Sequence, residues 1–285
     1  MKSFTRSSPP VGYSELFSRA LVYFVFVVLA VIAIYPMIWT VSNSLKTDID
    51  LFENTWEFPQ SPRWANYERA WEFGIARYMV NSVLVTASSV FGTIVISTMA
   101  AYALARFRFA GQNVLFFFIL GGLMLAPQVT LIPLFRTLVN LGIYNTYFAL
   151  ILPNIAFGIP FTTFLLRAYI VGLPREIEEA AYIDGAGSFG VFRHVIVPLS
   201  RPMIASAIVL ESMRVWNEFM FALTFIESND LKTMPVGIMS FTSALRTEFT
   251  VVMAGLVITA LPMILVFLIA QRQFIRGLSA GGIKG

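Results

Sequence analysis

The chain has no cysteine and a single histidine, His194. Without a thiol it can form no disulfide, bind no metal through thiolate and offer no cysteine nucleophile, and the usual clue to redox compartment is missing. His194 has no partner for an H-E-x-x-H pair, and no nucleophile and base stand ready to serve it, so no catalytic residue and no metal ligand is expected. The phosphate-cradling pattern G-x-x-x-x-G-K-[ST] is also absent, which leaves any ATP to be bound by another chain. Charge is scarce as well. Charged residues make up 13% of the sequence against 57% hydrophobic, and the mean hydropathy is +0.74. A soluble protein of this composition would expose far too much apolar surface, so the solvent is a bilayer. The net charge of +4 does not point to nucleic acid, because the basic residues are scattered among helix-flanking loops, where lipid headgroups account for them.

What is abundant is long apolar sequence. A helix needs roughly 20 residues to cross a hydrocarbon core, and six segments qualify: residues 20–41, 79–104, 114–135, 147–167, 203–225 and 249–270. The first is an anchor and no cleavable signal, since its apolar run exceeds a signal core of roughly 7–15 residues and ends in bulky Tyr35, Pro36 and Trp39. The third, interrupted by Pro127 and Pro133, is the least regular. With no repeat or low-complexity linker, residues 1–285 read as one all-α membrane domain: an anchor helix, core helices over 79–270, and a polar loop over 173–202. Placing both termini inside gives the inner segments twelve basic residues (Lys2, Arg6, Arg19, Arg106, Arg108, Arg167, Arg175, Arg193, Arg201, Arg272, Arg276, Lys284) and the outer ones seven (Lys46, Arg63, Arg69, Arg77, Arg136, Lys232, Arg246). The positive-inside rule favours that orientation, and the short turn at Arg106 and Arg108 votes for it most cleanly.

The loop 173–202, LPREIEEAAYIDGAGSFGVFRHVIVPLSRP, then faces the cytoplasm. Its residues predict two short helices and a turn. Pro174 suits a first turn, Glu176, Glu178 and Glu179 suit the positive end of a helix, and Gly185 with Gly187 supplies the stop. Ser188 is placed to cap a second helix that Pro198 breaks. Ile177, Tyr182 and Ile183 are expected to pack beneath, while Ala180, Ala181, Gly185 and Ala186 admit close approach by another surface. The physics alone also allows an interfacial helix lying on the membrane.

The order Glu179-Ala180-Ala181, three residues, Gly185, nine residues, Val195, one residue, Val197-Pro198 resembles the EAA loop of ABC importer membrane subunits. The stretches 36–46 (PMIWTVSNSLK) and 81–108, the WNEF at 216–219 and the tail QRQFIRGLSAGGIKG resemble the carbohydrate-uptake branch, similar to the smaller membrane subunit of maltose-type systems. That resemblance implies a type I ABC importer permease fold with six transmembrane helices and a cytoplasmic EAA coupling helix. It implies a multi-pass protein of a bacterial or archaeal cell membrane that carries a disaccharide or oligosaccharide. It further implies a second, different permease subunit, two ATPase subunits holding ATP and Mg, and an extracytoplasmic solute-binding protein. Glu178, Glu179, Ala180, Ala181, Asp184, Gly185 and Ala186 would then form the contact with an ATPase, and the loop would act as a lever between two bistable bodies.

A second constellation lies in the fifth segment, where Glu211, Arg214 and Glu218 recur at i, i+3 and i+7 on one helix face. Charges are costly in lipid, so this face turns to protein or water. Either Arg214 neutralises its neighbours and staples helices together, or Trp216, Asn217 and Glu218 line a pathway in which an indole stacks on sugar CH groups and polar groups meet hydroxyls. Asn154, beside Pro153, Gly158 and Pro160 in the fourth segment, is a further pathway candidate, because interrupted helices often line transporter cavities. Outside, the loops 42–78 and 227–248 are the surfaces a binding protein could reach, although Trp56, Trp64 and Trp71 equally suit headgroup level. The glycine-rich tail 277–285 either touches the ATPase pair or is a loose end. An ion-coupled secondary transporter using Glu211 and Glu218 is the alternative function, disfavoured by the lack of an internal repeat.

Overall fold

The computed structural model describes the backbone of residues 13–245 and 248–282, and side chains over 18–245, 248–269 and at 271. Among the described residues the chain is all helix and turn, with no strand. Helix α1 spans Tyr13–Ser44, followed by two short helices, α2 (Asp48–Glu53) and α3 (Ala65–Ala70). A π-turn, Trp71–Ile75, leads into α4 (Ala76–Arg106). Then come α5 (Gln112–Gly121), α6 (Pro127–Asn140), α7 (Phe148–Val171) and α8 (Glu176–Ile183). A continuous helical run, α9 (Ser188–Leu199), precedes α10 (Arg201–Trp216), α11 (Met220–Phe225), α12 (Met234–Ala244) and α13 (Phe249–Gly282).

Among the described residues four spans are single helices: Ser18–Ser44, Ala65–Arg106, Phe148–Val171 and Phe249–Ile269. Two further candidates are bent pairs, Gln112–Met124 with Pro127–Asn140 at 102° and Ser188–Leu199 with Arg201–Trp216 at 74°, giving up to six spans in all. The irregular third segment thus folds as two helices meeting at Ala126, with Pro127 opening the second, where its missing N–H costs nothing. The expected fifth span, 203–225, is also discontinuous: α10 ends at Trp216, and α11 starts afresh at Met220.

Three clusters hold the helices together. Val85, Leu138, Leu150, Val215, Phe221 and Phe225 join α4, α6, α7, α10 and α11. Ile75, Trp216, Met234, Phe241, Ala254 and Ile258 join α10, α12 and α13. Ala101, Tyr102, Leu166, Ile170, Val191, Ile196 and Met203 join the end of α4 to α7, α9 and α10. Small residues let α4 and α7 approach closely: a Cβ on Gly92 would lie 2.5 Å from Ile155 Cδ1, and one on Gly158 would lie 2.8 Å from Thr93 Cγ2. Backbone proximity of this kind is how membrane helices gain dispersion contact where lipid competes for every apolar surface. By contrast α1 buries almost nothing within the chain, and its Leu21, Phe24, Phe26 and Ile32 are more than half exposed.

The outer loops are tied back to the helices. Lys46 is buried, with Nζ donating to Asn43 Oδ1 at 2.9 Å and to the Asn54 carbonyl at 2.7 Å, and its burial pushes the ammonium pKa down from the usual lysine value. Trp56 stacks on Tyr35 with ring centroids 6.4 Å apart, and Trp64 remains 65% exposed. Helix α13 continues past the expected end near 270 to Gly282, the Gln-Arg-Gln-Phe-Ile-Arg run being made of residues that sustain helix well. The charges of Lys2, Arg6, Arg246, Arg272, Arg276 and Lys284 and the contacts of the tail lie outside the described residues.

Candidate functional site

The polar segment 173–202 folds as a helix, a turn and a second helical run packed under the ends of α4, α7 and α10. Its first helix begins at Glu176, so Pro174 stands two residues ahead of it rather than within it. Glu176, Glu178 and Glu179 occupy the first turn, where unpaired N–H groups favour carboxylates. At the other end the Ala186 N–H donates to the Ala181 carbonyl and the Gly185 N–H to the Tyr182 carbonyl, both at 3.0 Å. These two bonds form a Schellman stop, and Gly185 supplies the positive φ of 85° that it requires.

The second helix departs from expectation. Gly187 occupies the cap position, Ser188 is the first helical residue, and no side-chain cap bond forms. Pro198 does not break the run, because a π-turn over Phe192–Ile196 precedes it and the Val197 N–H reaches back to the Phe192 carbonyl. That wider turn relieves the clash a proline ring would otherwise make with the backbone one turn back. The chain bends only after Leu199, at Ser200.

The helix α8 also faces differently from expectation. Ile183 is 86% exposed, and Ile177 and Tyr182 are each more than two-fifths exposed, while the inward face carries Glu178 and Ala181. Burying a carboxylate demands a partner. Glu178 Oε1 accepts from Arg106 Nε at 2.6 Å, and both side chains are only 7% exposed. Arg106 Nη2 also donates to the Leu173 carbonyl at 3.0 Å, and Tyr102 Oη lies 3.3 Å from Tyr182 Oη. The seven residues expected to contact an ATPase therefore divide. Glu179, Ala180, Asp184 and Gly185 are exposed, whereas Glu178, Ala181 and Ala186 form the seat. Arg106, read in the sequence as a marker of orientation, proves to be the anchor of that seat. A partner 72 residues away leaves no signal in local spacing.

The second constellation is an ion-pair network with its carboxylate buried and Arg214 34% exposed. Arg214 Nε donates to Glu211 Oε2 at 2.8 Å, and its Nη2 and Nη1 donate to the Asn154 carbonyl and Oδ1 at 2.6 and 3.2 Å. Thr162 Oγ1 donates to Glu211 Oε1 at 3.1 Å, so α7 and α10 are cross-linked at two levels. Glu211 is 2% exposed and Asn154 1%. Glu218 is not hydrogen-bonded into this network. Its two oxygens accept from the Phe221 and Ala222 N–H groups at 2.6 and 3.1 Å and so cap α11. The i, i+3, i+7 face is consequently split in function: Glu211 and Arg214 staple, while Glu218 shapes the break that follows Trp216. Trp216 is 6% exposed within a packed cluster, and Asn217 is exposed at the break.

Residues 92–280 match the pattern of the binding-protein-dependent transport system inner membrane component family, a match that runs through the polar segment 173–202 and the Glu211–Arg214 network alike. The chain belongs to this family. Full-length relatives agree with that membership. The probable ABC transporter permease protein YurM of Bacillus subtilis (strain 168) is 47% identical over 262 residues, covering 92% of this chain and 87% of that protein. The trehalose/maltose transport system permease protein MalG of Thermococcus litoralis is 33% identical over 276 residues, covering 95% and 99%. The diacetylchitobiose uptake system permease protein NgcG of Streptomyces coelicolor is 32% identical over 258 residues, covering 90% and 85%. In fold the permease is similar to a chain of a bacterial ABC transporter involved in import of the acidic polysaccharide alginate, with a TM-score of 0.80 at 23% identity over 94% of this chain and 100% of that one. The permease is thus a multi-pass inner membrane component, and the ion-coupled alternative finds no support among its relatives.

Proposed function

We propose that this permease is one membrane half of an ATP-driven sugar importer, with both termini in the cytoplasm. The observation that carries the proposal is the coupling segment: a short helix with exposed Glu179, Ala180, Ile183 and Asp184, rigidly seated from behind by a buried ion pair. An apolar and acidic face held so firmly on a membrane protein suits a soluble partner that pushes and pulls. In this reading each of two ATPase subunits, holding ATP and Mg, grips one such helix, and the second permease subunit is a different chain. A solute-binding protein delivers substrate at the outer loops, where 227–248 is the better docking surface. The named cargoes of relatives, trehalose or maltose and diacetylchitobiose, support a disaccharide or oligosaccharide. Asn217 and Glu218, at the break between α10 and α11, line the pathway, and Asn154 and Trp216 hold that break in place.

The expected result is that the chain co-purifies with an ATPase subunit, and that uptake into vesicles stops when ATP hydrolysis is blocked, for example by vanadate. Uptake that continues on an ion gradient with the ATPase inactive would overturn the proposal.

A further inference from the structure

Helix α4 is held at both ends by polar contacts to segments far from it in sequence. At its last turn Arg106 engages Glu178 and the Leu173 carbonyl, and Tyr102, one turn earlier, meets Tyr182 and the Ser188 carbonyl. These contacts bracket α8 on both sides. At its first turns Asn81 Nδ2 donates to the Asp230 and Lys232 carbonyls at 2.8 and 2.9 Å, and Asn81 Oδ1 accepts from Tyr147 Oη at 2.8 Å. The Ser82 hydroxyl accepts from the Met234 N–H at 2.7 Å, and Arg77 pairs with Asp230. Asn81 is 3% exposed and Ser82 2%, so this end too is a built joint rather than a surface contact.

Both joints belong to one unbroken helix of 31 residues. At 1.5 Å per residue it is about 46 Å long. It carries no proline, and Thr93 and Ser97 lie against Gly158 and Ile159 of α7. A proline-free helix gripped at both ends resists a sharp kink, which would break consecutive backbone hydrogen bonds, and so passes a displacement at one end to the other.

We propose that α4 is a push-rod that ties the coupling helix directly to the outer loop 229–234, so that Arg106 and Asn81 are positioning residues for one long-range signal. The inference rests on the proposed function, in which α8 meets an ATPase and the outer loop meets a binding protein. The covalent route from α8 leads only to α7 and, through the bend at Ser200, to α10. The rod adds a second, non-covalent path alongside both. Arrival of a loaded binding protein at the loop 229–234 shifts α4, and Arg106 hands that shift to α8 through Glu178. The same contacts run the signal backwards on ATP binding, as linkage requires.

The test uses the whole reconstituted complex and reads the ratio of ATP hydrolysis with and without solute-loaded binding protein. Asn81→Leu is expected to cut that stimulation by about tenfold, within the range usual for allosteric coupling, while basal hydrolysis and ATPase retention stay within about twofold of wild type. Arg106→Gln, which also strips the buried Glu178 carboxylate of its partner, is expected to cut the stimulation at least as far, read as the ratio on complexes that retain the ATPase. The double variant is expected to be no worse than the worse single, since a rod freed at one end transmits nothing. Arg106→Lys, which keeps the charge pairing with Glu178, is expected to recover part of the stimulation and serves if the glutamine variant fails to assemble. Full stimulation in Arg106→Gln or in Asn81→Leu would overturn the inference, as would losses that simply multiply in the double variant. If the wild-type complex itself shows no stimulation by a loaded binding protein, the proposed function fails instead, so the two failures are distinguishable.

Discussion

Gly185→Val is expected to reduce ATP-driven uptake at least about tenfold, a loss on the scale of allosteric coupling, while the subunit still inserts and keeps its helices. The reason is local and separable. Gly185 has φ +85°, and a Cβ there would meet nothing within 4 Å, so the substitution brings backbone strain without a steric clash inside the chain. A β-branched residue in the left-handed region costs on the order of 1–2 kcal/mol, enough to open the Schellman stop and tilt the end of α8. Gly185→Asn provides the control, because asparagine tolerates this conformation and should retain most uptake. Uptake assayed in proteoliposomes, with ATPase retention measured on the same preparations, checks both. Full uptake by Gly185→Val would show that the conformation of this turn is irrelevant to coupling.

Glu211→Ala is expected to produce a marked loss of stability. It leaves the Arg214 guanidinium with only the Asn154 acceptors, and because Arg214 is 34% exposed the loss falls below the roughly 3–5 kcal/mol of a fully buried pair. The measurement is thermal unfolding in detergent: Tm should fall sharply and expression with it. Glu211→Gln, whose single amide oxygen can still accept from Arg214 while its NH2 donates to the Thr162 hydroxyl, should lose less. Glu218→Ala is the informative contrast. It removes two cap bonds at the start of α11, worth about 0.5–2 kcal/mol, so the protein should remain assembled while transport through the break changes. A Glu211→Ala protein as stable as wild type but unable to transport would reverse these assignments.

Much of this architecture was legible in the residues. Apolar runs of span length located the helices, Pro127 marked the sharpest bend, and the acidic first turn with Gly185 after it outlined α8. What the sequence could not convey was which way short helices face. Ile183 looks like core by composition, but the 3.6-residue period that turns Glu178 and Ala181 inward turns Ile183 outward. Pro198 reads as a breaker, yet a π-turn absorbs it, since backbone register responds to packing that local sequence does not encode. Among the charges, Glu211, Arg214 and Glu218 share a helical face on paper. The interruption at Asn217 then sends Glu218 to the backbone of the next helix. Contacts across long separations, such as Arg106 with Glu178 or Asn81 with the loop 229–234, leave no periodic trace at all.

The absence of cysteine makes the central claim directly testable, because any single cysteine introduced is unique in the chain. With Ala180→Cys on the exposed face of α8, a short thiol cross-linker applied to the actively transporting complex should join this chain to an ATPase subunit, both with and without ATP. A complex that imports solute while that position reacts freely with a soluble maleimide, and never cross-links to an ATPase, would contradict the account.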